Sequence, residues 1–180
     1  WAGWFSALSC LHATRPDADF FVMFEDDVSM CKNIKVYIES FLFNLPNFGT
    51  FHLYTPPKHH HFGRKPCITD ESNHGWDLWG AQGVVFTRSS LREFLGSPLN
   101  LGYRDTKTGI KNAHKDSAIG TWANSTGRSV YYHTPSLVNH LELPSLIGSW
   151  PHKALEYVGD EFDAVDLISQ TPLMGFVTYY

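Results

Sequence analysis

The chain has 180 residues, 43% hydrophobic and 18% charged, proportions that suit one globular domain with a real core and argue against disorder. Its formal net charge of -4, with Lys and Arg dispersed, excludes the clustered basic surface that a nucleic-acid binder needs. No run approaches the roughly 18 consecutive apolar residues of a membrane helix and no leader pattern opens the chain, which favours a cytoplasmic place; Cys10, Cys31 and Cys67, scattered and without C-x-x-C, read as reduced, mostly buried thiols.

Trp4, Ala7, Leu8 and Leu11 recur at helical spacing and Arg15-Pro16-Asp17 stops them, which predicts a first helix. Phe20-Phe21-Val22-Met23-Phe24 is a continuous apolar run, the pattern of a central strand covered on both faces, and it empties directly into Glu25-Asp26-Asp27. Three adjacent carboxylates repel one another unless a cation sits among them. At the carboxyl end of a strand, hard oxygen ligands suit Mg²⁺ or Mn²⁺, which commonly bridge carboxylates to a substrate diphosphate. A surface acidic cluster is most often just a solvated face; its position after five residues of buried type favours a site.

Asn33 to Asn44 is again helical in period, and Thr50 to Tyr54 reads as a strand ended by Pro56-Pro57. From there to about Asp77 the chain is polar and irregular, with Lys58, His59-His60-His61, Arg64 and Lys65, a length that in a compact domain marks a functional or mobile loop. Gly83 to Thr87 predicts a strand, followed by a short helix capped by Ser89 or Ser90 and stopped by Gly96 and Pro98. Leu99 to Lys111 reads as a polar loop, Asp116 to Asn124 as a helix stopped by Gly127, and Val130-Tyr131-Tyr132 and Pro135 to Val138 as strands. The expected organisation is one α/β domain over 1–180, with a core of about 1–150, a mixed tail over 151–180, and a mostly parallel sheet flanked by helices on both faces.

Four motifs in this order resemble the GT-A fold glycosyltransferases: Phe24-Glu25-Asp26-Asp27-Val28, Trp79-Gly80-Ala81-Gln82-Gly83-Val84-Val85-Phe86, His114-Lys115-Asp116, and Pro135-Ser136-Leu137-Val138-Asn139-His140. The acidic triplet looks like the E-D-D form of the D-x-D signature, and the likeness, which covers most of residues 1–150, extends to bacterial and viral proteins of glycosyltransferase type. It implies a Rossmann-like domain acting as a hexosyl- or N-acetylhexosaminyl-transferase, with Mn²⁺ or Mg²⁺ as cofactor, a nucleotide sugar (a UDP-sugar before others) as donor, and a glycan or other hydroxyl as acceptor. It further implies Asp27 as metal ligand, His140 completing the metal shell or touching the diphosphate, and Glu25 and Asp26 facing the ribose or the metal's waters. Asp116 takes the place of the general base of inverting members, with His114 as substitute. The family's nucleotide-base strand belongs upstream of the acids, so an N-terminal strand is expected to be missing from the stretch read here.

Each of these residues has a plainer reading beside the functional one. Asp116 is as well suited to cap a helix, and His140 to sit in a core beside Leu137, Val138 and Leu141. Trp76 and Trp79 offer flat faces to an acceptor sugar, although core packing is the commoner fate of Trp. The three adjacent histidines point in different directions and lack H-x-x-x-H spacing, which argues for a polar loop over zinc. Asn124-Ser125-Thr126 is a glycosylation sequon that falls at a helix end, where Asn serves as a cap. Phosphoacceptor, haloacid-dehalogenase and EF-hand patterns each fail at a required position. The remaining rival is a non-catalytic carbohydrate-binding or inactive glycosyltransferase-like domain.

Overall fold

The computed structural model describes residues 2–41, 45–56, 67–70, 80–102, 115–141, 153–154 and 156–170. In chain order these form helix α1 (Ala2–Thr14), strands β1 (Phe20–Phe24) and β2 (Val28–Met30), helix α2 (Ile34–Phe41), and strands β3 (Phe48–His52), β4 (Cys67–Asp70) and β5 (Gly83–Thr87). Helices α3 (Arg88–Gly96), α4 (Pro98–Gly102) and α5 (Lys115–Thr126), strands β6 (Ser129–Thr134) and β7 (Val138–His140), and a 3₁₀ turn over Ala164–Leu167 follow.

The chain is mixed α/β. Its main sheet has the order β1-β5-β3-β6-β4, and β2 pairs with β7 in a separate ribbon. Among the described strands only β3 and β6 pair in parallel; β1 with β5, β3 with β5 and β4 with β6 are antiparallel. The expected mostly parallel sheet is therefore corrected to a mixed one, in which β4 and β5 run against β1, β3 and β6. A parallel neighbour requires the chain to cross a face of the sheet, usually as a helix. Here the end of β3 and the start of β5 stand at the same edge, where Leu53 N–H donates to Gly83 O at 2.9 Å, so the two strands pair antiparallel although β4 lies between them in the chain. Direction survives where pairing does not: β1, β3 and β6 run the same way, so Phe24, His52 and Thr134 all finish at one edge.

Strand side chains alternate between two apolar layers, as the pleat dictates. Phe21, Val84, Phe86, Val130 and Tyr132 belong to one cluster with Phe5 and Leu8 of α1, Leu91 and Phe94 of α3, and Ile119 and Trp122 of α5. Within it Phe94 lies 5.2 Å from Phe86 and meets Trp122 edge-on at 5.3 Å between ring centres, the offset geometries that aromatic quadrupoles favour. On the opposite face Phe51, Val85 and Tyr131 pack with Ile34, Tyr37 and Ile38 of α2. Helices thus flank both faces of the sheet, but β1 is corrected from a central strand to an edge strand: among the described strands it pairs only with β5, and of Phe20 to Phe24 only Phe21 is buried, the others being partly covered.

Several local expectations shift. Residues past 150 are not merely a tail: Ala164 and Leu167 are buried in the α2-side cluster. They are held there by backbone bonds from Lys32 N–H to Phe162 O at 2.8 Å and from Ala164 N–H to Lys32 O at 3.0 Å. Helix α3 is capped by Thr87 rather than Ser89 or Ser90, because Thr87 and Ser90 each accept the other's backbone N–H, a reciprocal box. Gly127 ends α5 at φ +67°, the left-handed stop expected of it. Cys10 is exposed, against the expectation of buried thiols, while Cys31 is buried and its thiol is pushed up to about 11 by that burial. No helix among the described residues is long and apolar enough to cross a membrane.

Candidate metal and substrate site

The acids stand where β1 ends, and backbone bonds determine what stands beside them. Glu25 N–H donates to Gln82 O at 3.2 Å, which extends the β1–β5 pairing one step past Phe24. Leu137 and Val138 N–H both reach Leu53 O, at 2.8 and 3.2 Å, so the chain leaving β6 folds back over the edge where β3 ended. Ser136 secures that turn by accepting Thr55 N–H at 3.0 Å while its hydroxyl donates to Val138 O at 2.7 Å. Strand β7 then pairs antiparallel with β2, Val28 opposite His140, and Leu141 N–H donates to Asp27 O at 2.8 Å. This register places His140 beside Asp27, 113 positions away in the sequence.

The turn into β5 needs two glycines. Gly80 has φ +90°, and its carbonyl accepts His52 Nδ1–H at 2.9 Å; a Cβ there would lie 2.6 Å from the Tyr54 ring. At Gly83 a Cβ would meet Val138, Leu53 and Phe24 at 3.2 to 3.3 Å, so the close approach of three elements depends on its absence. Gly80→Ala is expected to destabilise the chain by about 2 kcal/mol through left-handed strain and ring collision. A thermal melt checks it: an unchanged midpoint would show that the turn relaxes freely.

Glu25, Asp27 and His140 each present one ligand atom, and these atoms lie within 4.8 Å of one another. His140 Nε2 is 3.1 Å from Asp27 Oδ2, close to the separation of about 3 Å between adjacent ligands of an octahedral ion with bonds near 2.1 Å. Asp27 Oδ1 is buried and has no hydrogen-bond partner among the described residues. A carboxylate oxygen in that position costs free energy unless a cation or donor meets it. The fourth member is Lys115, the first residue of α5, whose ammonium pairs with Glu25 Oε1. Burial holds that ammonium below its ordinary range, and the neighbouring Asp116 pulls the other way.

The chain matches no protein-family model and no curated protein. Of those singled out in the sequence, Asp27 and His140 come together, and Glu25 joins them as a third potential ligand instead of standing apart for the ribose. His140 packs no further into the core than its 11% exposed side chain, and its ring faces Asp27. Asp26 is exposed on the turn between β1 and β2 and is outside the group. Asp116 lies in the first turn of α5, next to Lys115, and its Oδ1 accepts the Ser117 N–H at 2.9 Å. Trp76, Trp79 and His114 lie outside the described residues, as do Lys58, His59, His60, His61, Arg64 and Lys65. Lys115 was quoted in the sequence only as part of His114-Lys115-Asp116 and given no role, although three carboxylates in a row are themselves a signal to look for a cation among the flanking motifs.

Proposed function

We propose that this chain is a metal-dependent glycosyltransferase that moves a sugar from a nucleotide-sugar donor to a hydroxyl acceptor with inversion at the anomeric carbon. The observation that carries the reading is the orphaned Asp27 Oδ1 within a two-carboxylate, one-imidazole group at the carboxyl edge of three co-directional strands. Ligands of open α/β sheets gather at such an edge. The donor set fits the proposed metal: two hard oxygens suit Mg²⁺ and Mn²⁺ alike, and the imidazole nitrogen tilts the choice toward Mn²⁺. Glu25, Asp27 and His140 would hold the ion, and its chemistry would be to neutralise charge on the departing diphosphate.

The chain's own residues supply the rest of the mechanism. Asp116 would take the acceptor's hydroxyl proton on Oδ2, since Oδ1 is turned toward its own helix by Ser117 N–H. The freed oxygen then forms its bond to the anomeric carbon as the bond from that carbon to the diphosphate oxygen breaks, and the diphosphate leaves with the electron pair. Ser117 N–H fixes the carboxylate's orientation, which matters more to a general base than an unusual affinity for protons. Asp116→Asn is expected to lower sugar transfer by about 10³-fold while leaving donor affinity within about threefold. Retained transfer in that variant would remove the base assignment, and with it the argument for inversion.

The reading as a whole is tested by Mn²⁺-dependent release of nucleoside diphosphate from a panel of nucleotide sugars. Release from one donor would establish the class and name the donor together. Failure to bind or turn over any donor would favour a glycan-binding or inactive relative.

A further inference from the structure

Glu25 faces two claims. Its Oε1 is bonded by the Lys115 ammonium, and its carboxylate also belongs to the group that Asp27 and His140 complete. The side chains are sheltered, Glu25 16% and Lys115 31% exposed, so neither claim is dissolved by bulk water. One carboxylate cannot serve a divalent ion and an ammonium at full strength together, because each draws on the same negative charge.

We propose that Lys115 is the anion ligand of this site and that it changes partner: a divalent ion takes Glu25, and the released ammonium binds the phosphate oxygens of a diphosphate. The inference rests on reading Glu25, Asp27 and His140 as the metal group. Position supports it. Lys115 opens α5, a helix of 12 residues whose first-turn N–H groups add partial positive charge beside the same edge of the sheet. Asp116, the next residue, also attracts the ammonium, but the bonded partner of Lys115 is Glu25. Charge then favours an incoming polyanion: the ion neutralises Glu25 and Asp27, and Lys115 is left as a positive charge with no strong partner of its own. Metal and diphosphate binding are thereby coupled through one side chain, each making room for the other. The exchange involves no covalent step; the ammonium keeps its proton throughout.

Calorimetric titration separates the possibilities, using Mn²⁺ alone and then inorganic pyrophosphate at fixed free Mn²⁺, on the intact chain and on Lys115→Met and Asp27→Asn. The expected result is a pair of opposite changes in Lys115→Met. Mn²⁺ should bind about tenfold more tightly, for want of a competitor, and pyrophosphate about tenfold more weakly, for want of a charged donor. A Lys115 that merely fastens α5 to the end of β1 would lose both affinities on substitution, and a Lys115 that binds anions without competing for Glu25 would leave Mn²⁺ affinity unchanged. Either outcome overturns the exchange. If Asp27→Asn weakens Mn²⁺ binding but Lys115→Met does not strengthen it, this inference falls and the metal reading stands. If Asp27→Asn binds Mn²⁺ as the parent does, both fall. Should Lys115→Met fail to fold by circular dichroism, Lys115→Gln takes its place, with the same pair of opposite changes expected.

Discussion

Asp27→Ala is expected to abolish Mn²⁺-dependent diphosphate release, lowering it by about 10³-fold or more. The loss is large because Asp27 has three duties at once. Its Oδ2 stands 3.1 Å from His140, its Oδ1 is buried without a partner among the described residues, and its backbone oxygen receives Leu141 N–H to seat β7. The alanine variant keeps the backbone bond and loses both carboxylate oxygens, so the fold should persist while the metal site does not. Thermal melts with and without Mn²⁺ separate these effects, since an ion that binds only the folded chain raises the midpoint. The parent should be stabilised by millimolar Mn²⁺ and Asp27→Ala should not. Equal stabilisation of the two would place the ion elsewhere and remove the metal reading of this edge.

The second large effect is loss of stability in acid. His52 and His133 are fully buried, and burial lowers both imidazoles to about 4 from an ordinary 6.5, with single backbone hydrogen bonds to Gly80 and Pro135 opposing only part of the shift. Each ring is held neutral by a donor on one side and an acceptor on the other. His133 Nδ1–H donates to Pro135 O at 2.6 Å while Nε2 accepts the Tyr37 hydroxyl at 2.6 Å. His52 Nδ1–H donates to Gly80 O at 2.9 Å while Nε2 accepts the Thr50 hydroxyl at 3.2 Å. Between pH 6.5 and 4 the unfolded chain therefore holds protons that the folded chain refuses. The stabilising contribution is complete above about 6.5 and is lost progressively as pH falls toward about 4, at a cost on the order of 3 kcal/mol per histidine. Urea midpoints measured from pH 7 to pH 4 should fall steeply, and His133→Gln should remove about half of the slope. A flat profile in the parent would mean that neither ring is kept neutral by the fold.

Most elements were legible along the chain because their signals are local. The unbroken apolar run of Phe20 to Phe24, the helical spacing around Leu8 and Tyr37, and the stop at Gly127 each depend on neighbours within a few residues. The short strands β2 and β4 were not legible, since three or four residues carry too little pattern and exist only through their partners β7 and β6. Strand direction was misjudged for a related reason. An alternation of strands and helices suggests crossovers, but no helix is described between β3 and β5, and β4 and β5 both run against β3 and β6.

By itself the sequence determined that an apolar strand delivers three acids to its carboxyl end, because apolar continuity and charge are written in consecutive residues; that this strand lies at the side of the sheet and not at its centre was a matter of pairing. It also marked His140 and Asp116 as candidates, though equally as a core histidine and a helix cap. Only the tertiary structure decided which of these meet. Pairing of β2 with β7 brings His140 to Asp27, the start of α5 brings Lys115 to Glu25, and Asp26 is left on the exposed turn. The physical reason is that a site is assembled by register and packing between segments far apart in the chain. Those are relations between elements, set by backbone hydrogen bonds at Leu53, Gly83 and Leu141, and no single segment carries them.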